Sequence, residues 1–435
     1  MTSHGIARST HVRTEEQRQA DLVRIGKYHD LEGQLRERVR NGTLDTQTLD
    51  LTSRLLRANP EYYTVWNVRR RCLTSSTLSA SRRGSSRSSA PSNSTDTPTA
   101  TSSSGASSSA PAATRGSPES PRTGPSGITV DGAAGPATSH GAGGESEAAG
   151  EKSREEREAA RDEEEAAWRS DADVIAAELS FTIPLLMEAP KCYWIWNHRT
   201  WALQQATERL PQAAARATWE RELGLAGKML SKDRRNFHAW GYRRWVVSRL
   251  EGPALGGGSM AEAEFAYTTG MIHGDLSNFS AWHTRSQLIP RLLAERGASD
   301  AARKKFLEDE LALLSNAVNV GPEDQSLWYY HQFLLLNLVS RDEKESMVPR
   351  LETAERTAYI QAEIEGIKDL LEDYQDIKWI YEALMECALS LAKVEDREVN
   401  DEEKGEMREW LGKLRELDPM REGRWVDVAR RYGLE

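Results

Sequence analysis

One pattern recurs at long, nearly constant spacing: an aromatic ring, tryptophan three residues later, and arginine three residues after that. It reads "NPEYYTVWNVRR" around Trp66, "APKCYWIWNHRTW" around Trp196, "DRRNFHAWGYRRW" around Trp240 and "DLSNFSAWHTRSQ" around Trp282. A fifth copy, "GPEDQSLWYYHQF" around Trp328, carries Gln325 and His331 in the flanking positions. The leading rings are Tyr63, Tyr193, Phe237 and Phe279, and the trailing arginines are Arg69, Arg199, Arg243 and Arg285. Trp196, Trp240, Trp282 and Trp328 stand 44, 42 and 46 residues apart, and weaker copies follow at Trp379 and Trp425. A unit of this length holds one helix pair, which cannot bury its apolar face alone, so neighbouring units must stack. The five tryptophans are therefore expected to be structural core. The ring one turn earlier is expected to help fill the gap between pairs, and the arginine to stack on an indole or to bind a carbonyl or carboxylate there.

Between the tryptophans, stretches such as "ADVIAAELSFTIPLLMEAP", "WERELGLAGKMLSKD" and "FLEDELALLSNAVNVGP" space apolar residues at three and four and end in Gly, Asn, Asp or Pro. Pro60, Pro190 and Pro322, six residues before their tryptophans, suit a first helical position, with Asn59, Asp233 or Asp275 able to cap from nearby. No stretch of equal length alternates with period two. The reading is all-α: a crescent-shaped α–α superhelix, or solenoid, of antiparallel helix pairs.

The interval from Trp66 to Trp196 is 130 residues, roughly 86 more than one period. The surplus matches "SSTLSASRRGSSRSSAPSNSTDTPTATSSSGASSSA" and the charged run "EKSREEREAARDEEEAAW" behind it. The serine-rich part, 75 to about 150, has almost nothing to bury and is expected to be disordered. The chain thus divides into N-terminal helices and first repeat (1–74), an insertion with a charged helix (75–165), and the remaining repeats of the same solenoid (166–435).

Composition narrows the function. The net charge of −10 gives no electrostatic support for a nucleic-acid partner. Cys72, Cys192 and Cys387 lie far apart, and the nine histidines show no ligand spacing, so no metal site is expected in this chain. No apolar run reaches membrane-spanning length and "MTSHGIARSTHVRTEEQ" has no signal-peptide core, which points to a soluble, cytoplasmic protein.

A repeat of about 44 residues with aromatic–x–x–Trp–x–x–Arg resembles that of protein prenyltransferase α subunits. "HGIARSTHVRTEEQRQ", "GTLDTQTLDLTSRLLRANP", "RNFHAWGYRR" and "DPMREGRW" look like the type II, Rab geranylgeranyltransferase branch, in its compact form without appended domains. The resemblance implies an obligatory α subunit, inactive without a β subunit that holds zinc and the isoprenoid pocket. It implies transfer of geranylgeranyl from geranylgeranyl diphosphate to C-terminal cysteines of Rab GTPases presented by an escort protein. Two other readings stay open: the α subunit of farnesyltransferase or type I geranylgeranyltransferase, and a repeat scaffold without enzyme function.

Catalysis needs positive charge and donors where charge gathers on the departing diphosphate. Positions two and five before each tryptophan lie about 140–200° from it around the helix, off the core stripe. Only the second and third repeats are basic there, with Lys191 beside Trp194 and Arg235 beside His238. Lys191, read in a first helical turn, would oppose the helix dipole, which hints at function. The family's diphosphate-contacting lysine falls on Lys191, its motif tyrosine on Tyr193, and its substrate-facing asparagine and histidine on Asn236 and His238. Lys191 and His238 are the expected catalytic residues, with Tyr193, Asn236 and Arg235 lining the substrate. Trp194 stands where farnesyltransferase-type subunits carry glutamine, and Phe237 replaces a frequent tyrosine. Cys192 reads as a small buried filler, and His4 as a leader residue within possible reach of a partner's zinc.

Overall fold

The structure, a computed structural model, describes residues 14–79 and 144–435. The leader with His4 and residues 80–143 of the serine-rich stretch lie outside them. The chain forms two compact units, one of Met1–Ser79 with Trp168–Glu435, the other of Ala80–Ala167. In the second unit the described part is the leading portion of a helix, and its charged side chains between residues 154 and 164 are exposed.

Among the described residues the longer elements are all α-helices: α1 (Glu15–Arg40), α2 (Thr46–Ala58), α3 (Tyr63–Cys72), α4 (Gly144–Glu188), α5 (Tyr193–Arg209), α6 (Gln212–Lys232), α7 (Phe237–Leu250) and α8 (Ala261–Gly274). They continue as α9 (Phe279–Glu295), α10 (Asp300–Val320), α11 (Gln325–Val339), α12 (Thr353–Asp373), α13 (Lys378–Val394), α14 (Asp401–Leu417) and α15 (Glu422–Tyr432). Successive helices pack as pairs, α2 on α3, α6 on α7, α8 on α9, α10 on α11 and α12 on α13. The tryptophan-bearing helices also pack on one another, α3 on α5, α5 on α7, α9 on α11 and α11 on α13. The first unit is an α–α superhelix. Its helix starts are specified by side-chain caps, Asp45 on α2, Asn236 on α7, Asn278 on α9, Ser299 on α10 and Asp324 on α11, each satisfying free first-turn amides.

Trp66, Trp196, Trp240, Trp282 and Trp328 are each 6 % exposed or less. Each indole nitrogen donates to the carbonyl six residues earlier, of Pro60, Pro190, Arg234, Leu276 and Pro322, at 2.6–3.0 Å. The ring fills the core and its N–H closes the turn that precedes its own helix. The arginines form a second regular device. Arg69, Arg199, Arg243 and Arg285 are buried and bind, through two nitrogens each, Glu178, Glu222, Glu264 and Glu310 of the next repeat at 2.5–2.9 Å. Their flat faces lie over Phe181, Tyr267 and Phe265 (for Arg69, Arg243 and Arg285), not over an indole.

Two local expectations change. Tyr63, Tyr193, Phe237 and Phe279 do not fill the gap between pairs; they are 44–67 % exposed. Each is the first residue of its helix, so no earlier turn covers it. The prolines are not first helical residues either. Pro60, Pro190 and Pro322 sit in the turns, where their carbonyls receive the indole N–H, while Asn59, Asp233 and Asp275 end the preceding helices.

Candidate functional site

Two turns bring the basic residues of the second and third repeats together. The first, Ala189–Cys192, joins α4 to α5 and carries Lys191; the second, Asp233–Asn236, joins α6 to α7 and carries Arg235. Asn236 locks one to the other. Its buried side chain accepts from the His238 and Ala239 amides at 3.0 and 3.2 Å and donates Nδ2 to the Pro190 carbonyl at 3.1 Å. Cys192 holds the equivalent place before α5 without a side-chain cap hydrogen bond; it is buried, and its thiol donates to the Pro60 carbonyl at 3.5 Å, which ties this turn to the one before it.

Lys191 therefore lies in the turn ahead of α5, not in the helix's first turn, and it does not oppose the dipole from within. Its side chain is 66 % exposed and its ammonium rests 3.4 Å from Asp233. An exposed pair of this kind is worth at most about 1 kcal/mol, so Lys191 stays available to another anion. His238, the second residue of α7, is half-buried with its ring against Phe237, centroids 4.0 Å apart. Burial lowers its pKa below the ordinary histidine value, the Lys191 charge adds to that, and Glu61 opposes it. At neutral pH the corner thus presents one fixed cation and one neutral imidazole, a donor pair suited to an arriving polyanion.

Arg235 points along the rim to the next repeat, 3.8 Å from Asp275. Tyr193 is exposed at the start of α5, edge-on to Trp194, whose other neighbour is Tyr63. The structure places Lys191, Asn236 and His238 in one corner, with Tyr193 beside it and Arg235 directed away. Glu61 and Asp233, the carboxylates facing this corner, were missed in the sequence; Glu61 shares the repeat position of Lys191 and Arg235 with opposite charge, which was the available signal. Among the described residues no group of His, Cys, Asp and Glu side chains is arranged to hold a metal ion, and no helix is long and apolar enough to cross a membrane.

The family described as "Protein prenyltransferase alpha subunit repeat" matches residues 45–76, 175–206, 219–250 and 307–338. The segment around Trp282 lies outside those matches but makes the same indole and arginine contacts. The geranylgeranyl transferase type-2 subunit alpha of Saccharomyces cerevisiae is 30 % identical over 283 residues, 61 % of this chain and 80 % of that protein. Those of Schizosaccharomyces pombe and Sus scrofa are 35 % and 39 % identical, over 48 % and 38 % of this chain and 60 % and 27 % of their own lengths. A solved structure, Candida albicans protein geranylgeranyltransferase-I complexed with GGPP, superposes with a TM-score of 0.50 at 15 % identity, covering 98 % of this chain and 94 % of that one, a likeness of fold. Given the tryptophan–arginine superhelix and these relatives, the chain belongs to the family of geranylgeranyl transferase type-2 alpha subunits, built from protein prenyltransferase alpha subunit repeats.

Proposed function

We propose that this chain is the α subunit of a heterodimeric type II protein geranylgeranyltransferase. It works in the cytoplasm, and the complex moves geranylgeranyl from its diphosphate to C-terminal cysteines of Rab GTPases that an escort protein presents. The β subunit would supply most of the pocket and a zinc ion, whose chemistry would be to hold the acceptor cysteine sulfur as the thiolate. The observation that carries the reading is the corner where Asn236 ties the turn of Lys191 to the start of α7, within electrostatic reach of His238.

In this reading Lys191 leaves its loose partner Asp233 and meets the diphosphate, whose negative charge grows as the carbon–oxygen bond breaks. His238, neutral at rest, donates a hydrogen bond to the same group. Asn236 is a positioning residue that fixes the spacing of the two. Tyr193 flanks the lipid or peptide end, and Arg235, turned towards Asp275, contributes only long-range attraction for the anion.

Removing one such donor typically lowers turnover about 100- to 1000-fold. Lys191→Ala in the co-expressed heterodimer is expected to lose turnover by a factor of that order while still eluting as a heterodimer. Wild-type turnover in that variant would refute the role assigned to Lys191.

A further inference from the structure

Two arginines, one half-buried and one exposed, are left without a carboxylate. In four repeats the arginine three residues after the tryptophan is matched to a glutamate of the next repeat, yet Arg70 and Arg244, one residue further on, are not. Arg70 is half-buried; its Nη2 donates to Asn197 at 2.6 Å and its guanidinium lies 5.9 Å from the Trp201 ring centre. Its Nε is buried with no hydrogen-bond partner. Burial depresses the Arg70 pKa to about 10, with only the Tyr193 phenol opposing. Arg244 is exposed on α7, and no carboxylate among the described residues is paired with it. The chain holds 67 acidic against 57 basic side chains, so carboxylates are not scarce. The half-buried Arg70 guanidinium, with its Nε unpaired and no carboxylate beside it, is costly and calls for an explanation from outside the chain.

Their position indicates what that is. Arg70 stands seven residues after Tyr63 on α3, and Arg244 seven after Phe237 on α7. Seven residues are two turns, which return to within about 20° of the same direction on a helix. Both arginines therefore share a strip with the exposed rings, and α5, with its exposed Tyr193, packs between α3 and α7. Exposed aromatics interleaved with arginine are the composition of interface centres.

We propose that Arg70 and Arg244 are the charged anchors of the face that receives the second subunit, each taking a carboxylate from it. The inference rests on the heterodimer reading above. Helices in contact lie 8–10 Å apart, so the two carboxylates of the partner are set on the order of 20 Å from each other. The rings supply apolar burial between them.

The test is the dissociation constant of the purified α–β complex for wild type, Arg70→Ala, Arg244→Ala and Arg70→Lys. Each alanine variant is expected to weaken assembly about 10- to 100-fold. The lysine variant should fall between, because it keeps the charge and loses the fork. Raising the β subunit to saturation should restore turnover in the alanine variants, and their isolated α chains should melt as wild type does. Unchanged dissociation constants, or low turnover with the dimer fully formed, would overturn the inference and leave the heterodimer reading standing. A wild-type chain that fails to pair with a β subunit would overturn both.

Discussion

His331 stands where the other repeats carry the buried arginine, and it is the one member of that series able to lose its charge. Its Nε2 lies 3.2 Å from Glu363 on α12, and the ring is buried. Burial alone would lower its pKa, but the neighbouring Cys387 and the Glu363 carboxylate outweigh it and raise the value to about 10. As pH rises, the unfolded chain gives up this proton first, near the ordinary value of 6.5. The stabilisation is therefore complete below 6.5 and is lost progressively between 6.5 and about 10. The expected result is a melting temperature that falls across this window in wild type, with a shallower fall in His331→Arg, measured by circular dichroism at several pH values. Parallel slopes in the two proteins would show that His331 is not the titrating group.

At the scale of the element, the repeat is held by a ladder whose rungs run between neighbours. Glu222 accepts from Arg199 twice at 2.6 Å and from the Tyr242 hydroxyl at 2.8 Å, and Glu310 is bound alike by Arg285 and Tyr330. Glu178 takes Arg69 and His198, so each repeat varies one partner and keeps the carboxylate. Breaking a buried pair from one side costs about 3–5 kcal/mol, whereas replacing both partners with apolar groups is often near neutral. Glu222→Ala is accordingly expected to lose about that much stability in urea unfolding, and Arg199→Met with Glu222→Leu to recover most of it. A double variant as unstable as the single one would place the loss in the Tyr242 hydroxyl, left without its acceptor, and not in the ion pair.

The tryptophans were legible in the sequence because a rare, bulky residue at fixed intervals has few uses outside a core. The glutamates were equally periodic, each 18 residues before Trp196, Trp240, Trp282 and Trp328, but an acidic residue on an amphipathic helix reads as solvent-facing. Only its arginine, one repeat away in sequence, reveals it as buried. The rings of Tyr63 and Phe237 failed in the opposite sense: spacing marks a position as apolar without telling whether this chain or another covers it. The motifs single out Lys191 and His238, and the structure brings the two to one corner. The three bonds of Asn236, the Asp233 contact and the difference between Arg69 and Arg70 were not legible, since adjacent arginines look alike until a helix direction is assigned.

At the scale of the whole molecule, the superhelix is a sum of neighbour contacts, indole to turn and arginine to glutamate, which leaves its remaining face available. Within this unit the Ser79 amide donates to buried Asp171 at 2.8 Å, and Arg209 holds the Ser79 carbonyl. These bonds connect the segment that ends at Ser79 with helices α4 and α5. In the proposed function, what this array does depends on the second chain and on the acceptor delivered to them both. The decisive measurement is transfer of radiolabelled geranylgeranyl by the co-expressed heterodimer to two acceptors, a Rab GTPase with its escort protein and a short peptide ending in a CaaX sequence. The account predicts labelling of the Rab that depends on the escort and none of the peptide. Efficient labelling of the peptide, or of neither acceptor by an intact heterodimer, would contradict it.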